Sequence, residues 1–312
     1  MFEVKRYTPD RANEWNRFVA QSKNGTFLFD RFFMDYHSDR FVDCSLMVYR
    51  HGTLYALLPA NVKDAVLTSH GGLTYGGLVM SKSCSAKGVL EAFEAINTYL
   101  RTIGIRHVVY KAIPWIYHQQ PAEEDLYALT SVCGARLTIR DISSAIISDR
   151  RMKFAESRRA GIRKALRKDL VVKESTDFPT FWRILNDNLQ AKYGVSPVHT
   201  LAELELLHSR FPDEIRLYMV YDGAEPLGGS LLFLTPQVLH TQYISANASG
   251  KANGAIDLLF DVLINDVYAD CQYIDFGKST VSDSADLNEQ LIFQKEGFGG
   301  RAVCYDTYEY DL

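Results

Sequence analysis

Between Ile215 and Phe298 the spacing of apolar positions changes period several times, and each change marks an element. Ile215 to Tyr221 is apolar and aromatic up to Asp222-Gly223, a pair that accepts positive φ and reads as a hairpin turn. Gly228 to Leu234 and Val238 to Ala246 follow as strands, separated by Pro236-Gln237. From Ala255 to Val267 the period lengthens: Ile256, Leu259, Phe260 and Leu263 fall at i, i+3, i+4 and i+7, a helical stripe. A strand at Tyr273 to Gly277 and a lysine-bearing helix close the series. The stretch Asn247 to Gly254, rich in small residues, reads as a loop feeding the helix at Ala255. Such a loop aims free backbone N–H groups and the positive end of the helix at its occupant, an arrangement suited to phosphate.

The first half shows the same order. Cys44 to Arg50 and Thr53 to Ala60 make a hairpin around His51-Gly52, and Ala65 to Ser69 a third strand. His70-Gly71-Gly72 and Tyr75-Gly76-Gly77 precede a helix over Ala86 to Thr102, a strand at His107 to Ala112, a helix near Glu123 to Thr130 and a strand at Arg136 to Arg140. The expectation is an α/β protein with mixed α+β sheets in two domains of one topology, 1–148 and 149–312. A chain of 312 residues exceeds what one core usually supports.

Composition narrows the classes. With 47% hydrophobic and 23% charged residues the chain is an ordinary globular one. No stretch approaches the roughly 20 apolar residues of a membrane span, and the N-terminus does not read as a leader, so the expected location is the cytoplasm. Five cysteines without a Cys-x-x-Cys pair argue against a disulfide framework and a structural zinc. His118 with Glu123, Glu124 and Asp125 lacks the spacing of a known metal site, so no metal is expected. Thr200 with Glu203 is a capping box, and the absence of a Gly-x-Ser-x-Gly elbow disfavours a hydrolase.

The net charge of −4 hides an uneven distribution. Arg150 to Lys168 holds nine basic residues and one acid, Glu156, whereas from Asp169 onward nine basic residues face 22 acids. The basic stretch reads as a helix with Ala155, Ile162 and Leu166 inward and Arg159, Arg163 and Arg167 along one side. Those arginines form either an anion cradle for a tRNA, nucleotide-sugar or phospholipid head, or a solvated linker helix paired with the acidic second domain.

The succession of meander, small-residue loop, helix, strand and helix is similar to the GNAT superfamily, whose loop before the helix holds the pyrophosphate of an acyl-CoA. That loop usually reads Arg/Gln-x-x-Gly-x-Gly/Ala; here it is Lys251-Ala252-Asn253-Gly254-Ala255-Ile256. Tyr273-Ile274-Asp275-Phe276-Gly277 and Phe293-Gln294-Lys295-Glu296-Gly297-Phe298-Gly299 resemble the FemABX family, peptidyl and aminoacyl transferases built from two GNAT-like domains. In that family a strand ending Asp-Phe-Gly precedes a Phe-Lys-x-x-Phe-Gly signature with its lysine at the transfer centre. Trp15, Phe18, Val19, Gly25-Thr26-Phe27, Tyr75-Gly76-Gly77 and Arg159 to Ala165 extend the resemblance.

The resemblance implies a tandem pair of GNAT-like domains that moves an acyl or aminoacyl group to an amine, on a cell-envelope or polysaccharide precursor. No cofactor is tightly bound in such a protein; the donor is aminoacyl-tRNA or acyl-CoA. Transfer needs an amine relieved of a proton, a donor for the oxyanion and cations for the carrier. Lys295 is the candidate for the oxyanion or a carrier phosphate, Asp275 for orienting it or taking a proton, and Tyr243 for the acceptor. Gly250, Lys251, Asn253, Gly254 and Ala255 would hold the carrier; Tyr75, Arg159, Arg163 and Arg167 would contact substrate. The alternatives are an acyl-CoA-dependent N-acetyltransferase acting on a small molecule, and a binding module on the same fold without chemistry.

Overall fold

A computed structural model of the chain describes residues 1–281 and 286–312. They divide into two compact units: Met1–Asp141 with Cys304–Leu312, and Ile142–Val303. The break thus lies seven residues before the expected 148/149, inside a long strand, and the last nine residues return to the first unit.

In the first unit β1 (Phe2–Arg6), β2 (Leu46–Arg50), β3 (Thr53–Leu58) and β6 (Val79–Met80) form an antiparallel sheet in that order. A second sheet takes β4 (Asn61–Lys63), β5 (Val66–Thr68), β7 (His107–Lys111), the end of β14 (Arg301–Asp311) and the first half of β8 (Arg136–Ile147). Helices α1 (Ala12–Gln21), α2 (Arg31–Met34), α3 (Ala86–Thr102) and α4 (Glu124–Ser131) complete it. Ser85 caps α3 at the position where the apolar stripe begins, and Val89, Phe93, Ile96 and Leu100 of that stripe are buried. The strand expected over Ala65 to Ser69 is the inner arm of the β4–β5 hairpin, paired with β7 and entered through Asp64 and Ala65 at positive φ.

In the second unit the sheet order is β8, β13 (Tyr273–Lys278), β12 (Val238–Ala246), β11 (Glu225–Leu234), β10 (Ile215–Asp222) and β9 (Val171–Ser175). Helices α5 (Glu156–Leu166), α6 (Phe178–Tyr193), α7 (Leu201–Arg210), α8 (Ala248–Asn253), α9 (Ala255–Val262) and α10 (Glu289–Gly297) surround it. The meander and the helix from Ala255 fall where the periodicity places them, α9 continuing as a π turn over Leu263–Val267. Thr200 and Glu203 make the reciprocal bonds of a capping box. The core gathers on α9: Leu258, Leu259, Phe260 and Leu263 pack with Ile274, Phe276 and Phe298.

Two expectations are corrected. Residues 248–253 are a short helix rather than a loop, started by the Asn247 side chain accepting from Gly250 N at 2.8 Å. At α5, Ala155 and Leu166 are exposed, the latter by 55%, and Ala165 is buried beside Ile162 instead.

Gly254 links α8 to α9 at φ 75°, and a Cβ there would lie 2.3 Å from the Gly161 carbonyl oxygen of α5. Left-handed backbone and helix approach both demand glycine. Gly254→Ala is expected to cost at least about 1–2 kcal/mol in chemical denaturation. Gly223→Asn, in the open β10–β11 turn with nothing within 4 Å of a Cβ, is expected to cost well under half of that, since asparagine tolerates this backbone.

Candidate active site

β12 and β13 are parallel, yet they pair only from Val238 to His240 against Tyr273 to Asp275. Both strands then continue, β12 to Ala246 and β13 to Lys278, along separate paths. Each contains its own cause of bending. On β12, Thr241 and Tyr243 pair with consecutive residues of β11, leaving Gln242 as a bulge. On β13, the register against β8 shifts between Asp275 and Lys278, and Gly277 takes φ 73°. The Asp275 side chain fixes that turn by accepting from Gly277 N at 3.1 Å.

Where the strands part, the β13 carbonyls lose a ladder partner and Lys295 of α10 supplies one. Its Nζ donates to the carbonyls of Gly277 and Lys278, each at 2.7 Å, and to Ser279 Oγ at 3.0 Å. The side chain is 4% exposed. Burial brings its pKa down from 10.5 to about 8, and the negative charge of Asp275 works in the opposite direction. Asp275 is fully buried; its carboxylate accepts from Ser143 Oγ of β8 and from His240 Nδ1 of β12, the latter at 2.8 Å. Bonding to a carboxylate places the ring proton of His240 on Nδ1.

A cavity of about 390 Å³ opens in this unit, lined by residues of α6, β12, α8, α9, β13 and α10. Ile244, Ile256, Phe260, Phe276 and Phe298 make it largely apolar, while Lys192, Lys251 and Lys295 bring positive charge. Among the described residues lining it, none is an aspartate or glutamate. Lys251 donates to Asn188 Oδ1, and the Asn188 amide nitrogen donates to Ser245 Oγ at 2.7 Å and the Ala246 carbonyl at 2.8 Å. Asn188 therefore sets the direction of Lys251 from the end of β12.

The other candidates are dispersed. Gly250 and Ala255 are buried, and Asn253 bonds Ser249 within α8. The start of α9, expected to face phosphate, lies against α5: Gly161 abuts Gly254, and Arg158 bonds Asp257 at 2.7 Å. Of the five expected carrier contacts, Lys251 lines the cavity with its side chain. On α5 the arginine turned inward is Arg158, over the Phe298 ring, whereas Arg159 and Arg163 are half-exposed and salt-bridged to Glu156. Arg167 caps the helix end. Tyr243 shares a 2.7 Å hydrogen bond with His199 Nδ1, and its neighbour Ile244 lines the cavity. Tyr75 belongs to the first unit, where it is buried, donates to Thr26 Oγ1 at 3.2 Å and packs on Phe29 and Tyr117.

Glu124 pairs with the buried Lys23, and the buried Asp125, its pKa raised to about 6 by desolvation, accepts from Tyr110. Among the described residues no group of three His, Cys, Asp or Glu is placed to hold a metal. Ser143, Asn188, His240 and Ser279 are site residues that the sequence did not single out. Ser143 lies beyond the expected end of its strand, and Asn188 lies on α6, whose Asp177 cap followed by Pro179 is the signal that could have found it.

Residues 152–284 match the family of acetyltransferase (GNAT) domains. No curated protein matches the chain in sequence. The crystal structure of FemX superposes with a TM-score of 0.69 at 11% identity, covering 99% of this chain and 97% of that one. The structure of L-PGS from Bacillus licheniformis gives 0.60 at 12% identity, over 98% and 92%. A tandem GNAT protein from the clavulanic acid biosynthesis pathway gives 0.55 at 11%, over 100% and 98%. What is shared at such identities is the fold: this chain has a fold of the kind seen in FemX and in the tandem GNAT protein.

Proposed function

We propose that this protein transfers an acyl or aminoacyl group from a phosphate-bearing carrier to an amine, with the carrier seated in the cavity beside the parted β12 and β13. The observation that carries this reading is Lys295: a buried lysine held at the point of parting, on the wall of an apolar cavity whose other charges are also cationic. Lys251, steered by Asn188, would meet a carrier phosphate, and Lys295 would stabilise the charge that develops on the carbonyl oxygen. Asp275 keeps Lys295 in place by shaping the Gly277 turn. Tyr243 would contact the acceptor, for which an envelope or sugar precursor in the cytoplasm is the proposed class. The resemblance of the Asp275 strand and the Lys295 segment to the FemABX family implies aminoacyl transfer from a charged tRNA; Arg159, Arg163 and Arg167 would then follow its phosphates.

A second reading has specific support. Arg159 and Arg163 are engaged by Glu156, and a cavity with lysines but without carboxylates does not favour the ammonium of an aminoacyl group. An acyl-CoA donor suits that charge distribution better.

Three outcomes test the proposal. Lys295→Ala is expected to lower turnover roughly 100- to 1,000-fold, the effect of losing one oxyanion donor, with the protein still folded by circular dichroism; near-normal turnover removes Lys295 from the chemistry. A charged Lys295 is required, and its pKa is about 8, so kcat should carry a falling limb through that value on top of the rise from deprotonation of the acceptor amine, and Lys295→Arg, charged throughout, should lose the falling limb. A falling limb that persists unchanged in Lys295→Arg would assign it to another group. If three arginines contact tRNA phosphates, binding of charged tRNA should weaken roughly 20- to 40-fold between 50 and 200 mM salt, and the Arg159→Gln, Arg163→Gln, Arg167→Gln triple variant should flatten that dependence. Tight acyl-CoA binding with little salt dependence and no tRNA affinity would select the second reading.

A further inference from the structure

We propose that His240 and Ser143 are positioning residues: through the buried Asp275 carboxylate they hold Lys295 as an ammonium at the cavity. The inference deepens the reading of Lys295 given above and depends on it only for the effect on rate.

Asp275 sits where three strands meet. Its Oδ1 receives Ser143 Oγ from β8 and Gly277 N from its own strand, and its Oδ2 receives His240 Nδ1 from β12. A carboxylate with no exposed surface stays ionised only if such donors replace water, because each bond to the charged form favours it over the protonated acid. His240 and Asp275 are also the last pair of the parallel ladder, so this bond closes the angle from which the cavity opens. Lys295 is joined to the same knot: its acceptors Gly277 O and Lys278 O belong to the turn that the Asp275 side chain fixes.

The surrounding charges leave Asp275 in a particular role. Lys192 of α6 and Lys251 of α8 line the cavity with Lys295. Arg158 of α5 lies against Gly297 and is matched by Asp257 of α9. Lys278 of β13 is half-buried, and Glu289 and Glu296 of α10 itself are exposed. Burial works against the Lys295 charge, and among the described residues Asp275 is the acid that works for it. Neutralising the carboxylate must therefore release the Lys295 proton at lower pH, and losing one of its donors does the same to the extent that it moves Asp275 toward protonation or away from the turn. The donors on Asp275 are thus a handle on the site that never touches substrate.

The test is the Lys295 titration itself, followed by NMR of the protein with isotope-labelled lysine, the resonance assigned by Lys295→Arg. The parent should titrate at about 8. Asp275→Asn should lower that value by about one unit or more, the usual effect of removing an adjacent opposite charge. His240→Phe, which deletes one donor, should lower it in the same direction by roughly half a unit or more. His240→Asn, whose amide can donate in place of Nδ1, should restore the parent value. Should His240→Phe fail to fold, Ser143→Ala removes the other side-chain donor and is expected to act likewise. A Lys295 titration unchanged in both donor variants overturns the proposal. The measurement needs no turnover: if Lys295 shifts but the kcat profile does not follow, the positioning chain stands and the transfer role of Lys295 fails.

Discussion

A parallel strand pair that stops after three residues leaves backbone polar groups inside the protein without their ladder, and the second unit is organised around that debt. Buried carbonyls must find donors, since an unsatisfied one costs about 1–3 kcal/mol. Gly277 and Lys278 find theirs in one ammonium. The long lysine stem can reach from α10, and its three hydrogens match two carbonyls and the Ser279 hydroxyl. The same demand explains why a cation is kept in an apolar setting that brings its pKa down to about 8. A hydrophobic residue at position 295 would leave the turn of β13 unsatisfied.

From that arrangement the chemistry follows with few additions. In the proposed transfer the developing oxyanion would meet the fixed charge of Lys295, whose longest bond, to Ser279 Oγ at 3.0 Å, is the one it would exchange to donate to that oxygen. Apolar walls from Ile244, Phe260, Phe276 and Phe298 keep water away and strengthen each interaction with the lysines. Lys251 is placed by an asparagine that also ties α6 to the end of β12. The cations Lys192, Lys251 and Lys295 are carried by helices α6, α8 and α10 rather than by loops.

How much of this could be read from the sequence differs between elements. Val238 to Ala246 and Ala255 to Val267 were legible because burial on one or both sides leaves an unbroken apolar period, and α3 because its stripe and cap agree. The helix over 248–253 was not, since glycine and asparagine there favour a loop and only the Asn247 cap makes a helical turn the better choice. β14 alternates tyrosines with acids, a pattern that gives no hint that its end returns to the first unit. In the site, Lys295 and Asp275 were visible through the Asp-Phe-Gly strand. His240 and Ser143 were hidden because their partnership joins three strands distant in sequence, and no local spacing encodes it. The arginines of α5 show the reverse: their repeat is conspicuous, yet Glu156 on the same helix accounts for two of them.

The central claim is that the acyl carrier lies between the parted strands with its carbonyl at Lys295. The most direct measurement is a crystal structure of the protein with an unreactive donor analogue, an acyl-CoA thioether in one experiment and a stable aminoacyl-adenosine amide in another. The account predicts that one of them fills the cavity, with a phosphate near Lys251 and the acyl carbonyl oxygen within hydrogen-bond reach of Lys295 Nζ. A saturated complex in which both analogues leave this cavity empty and bind elsewhere would contradict it.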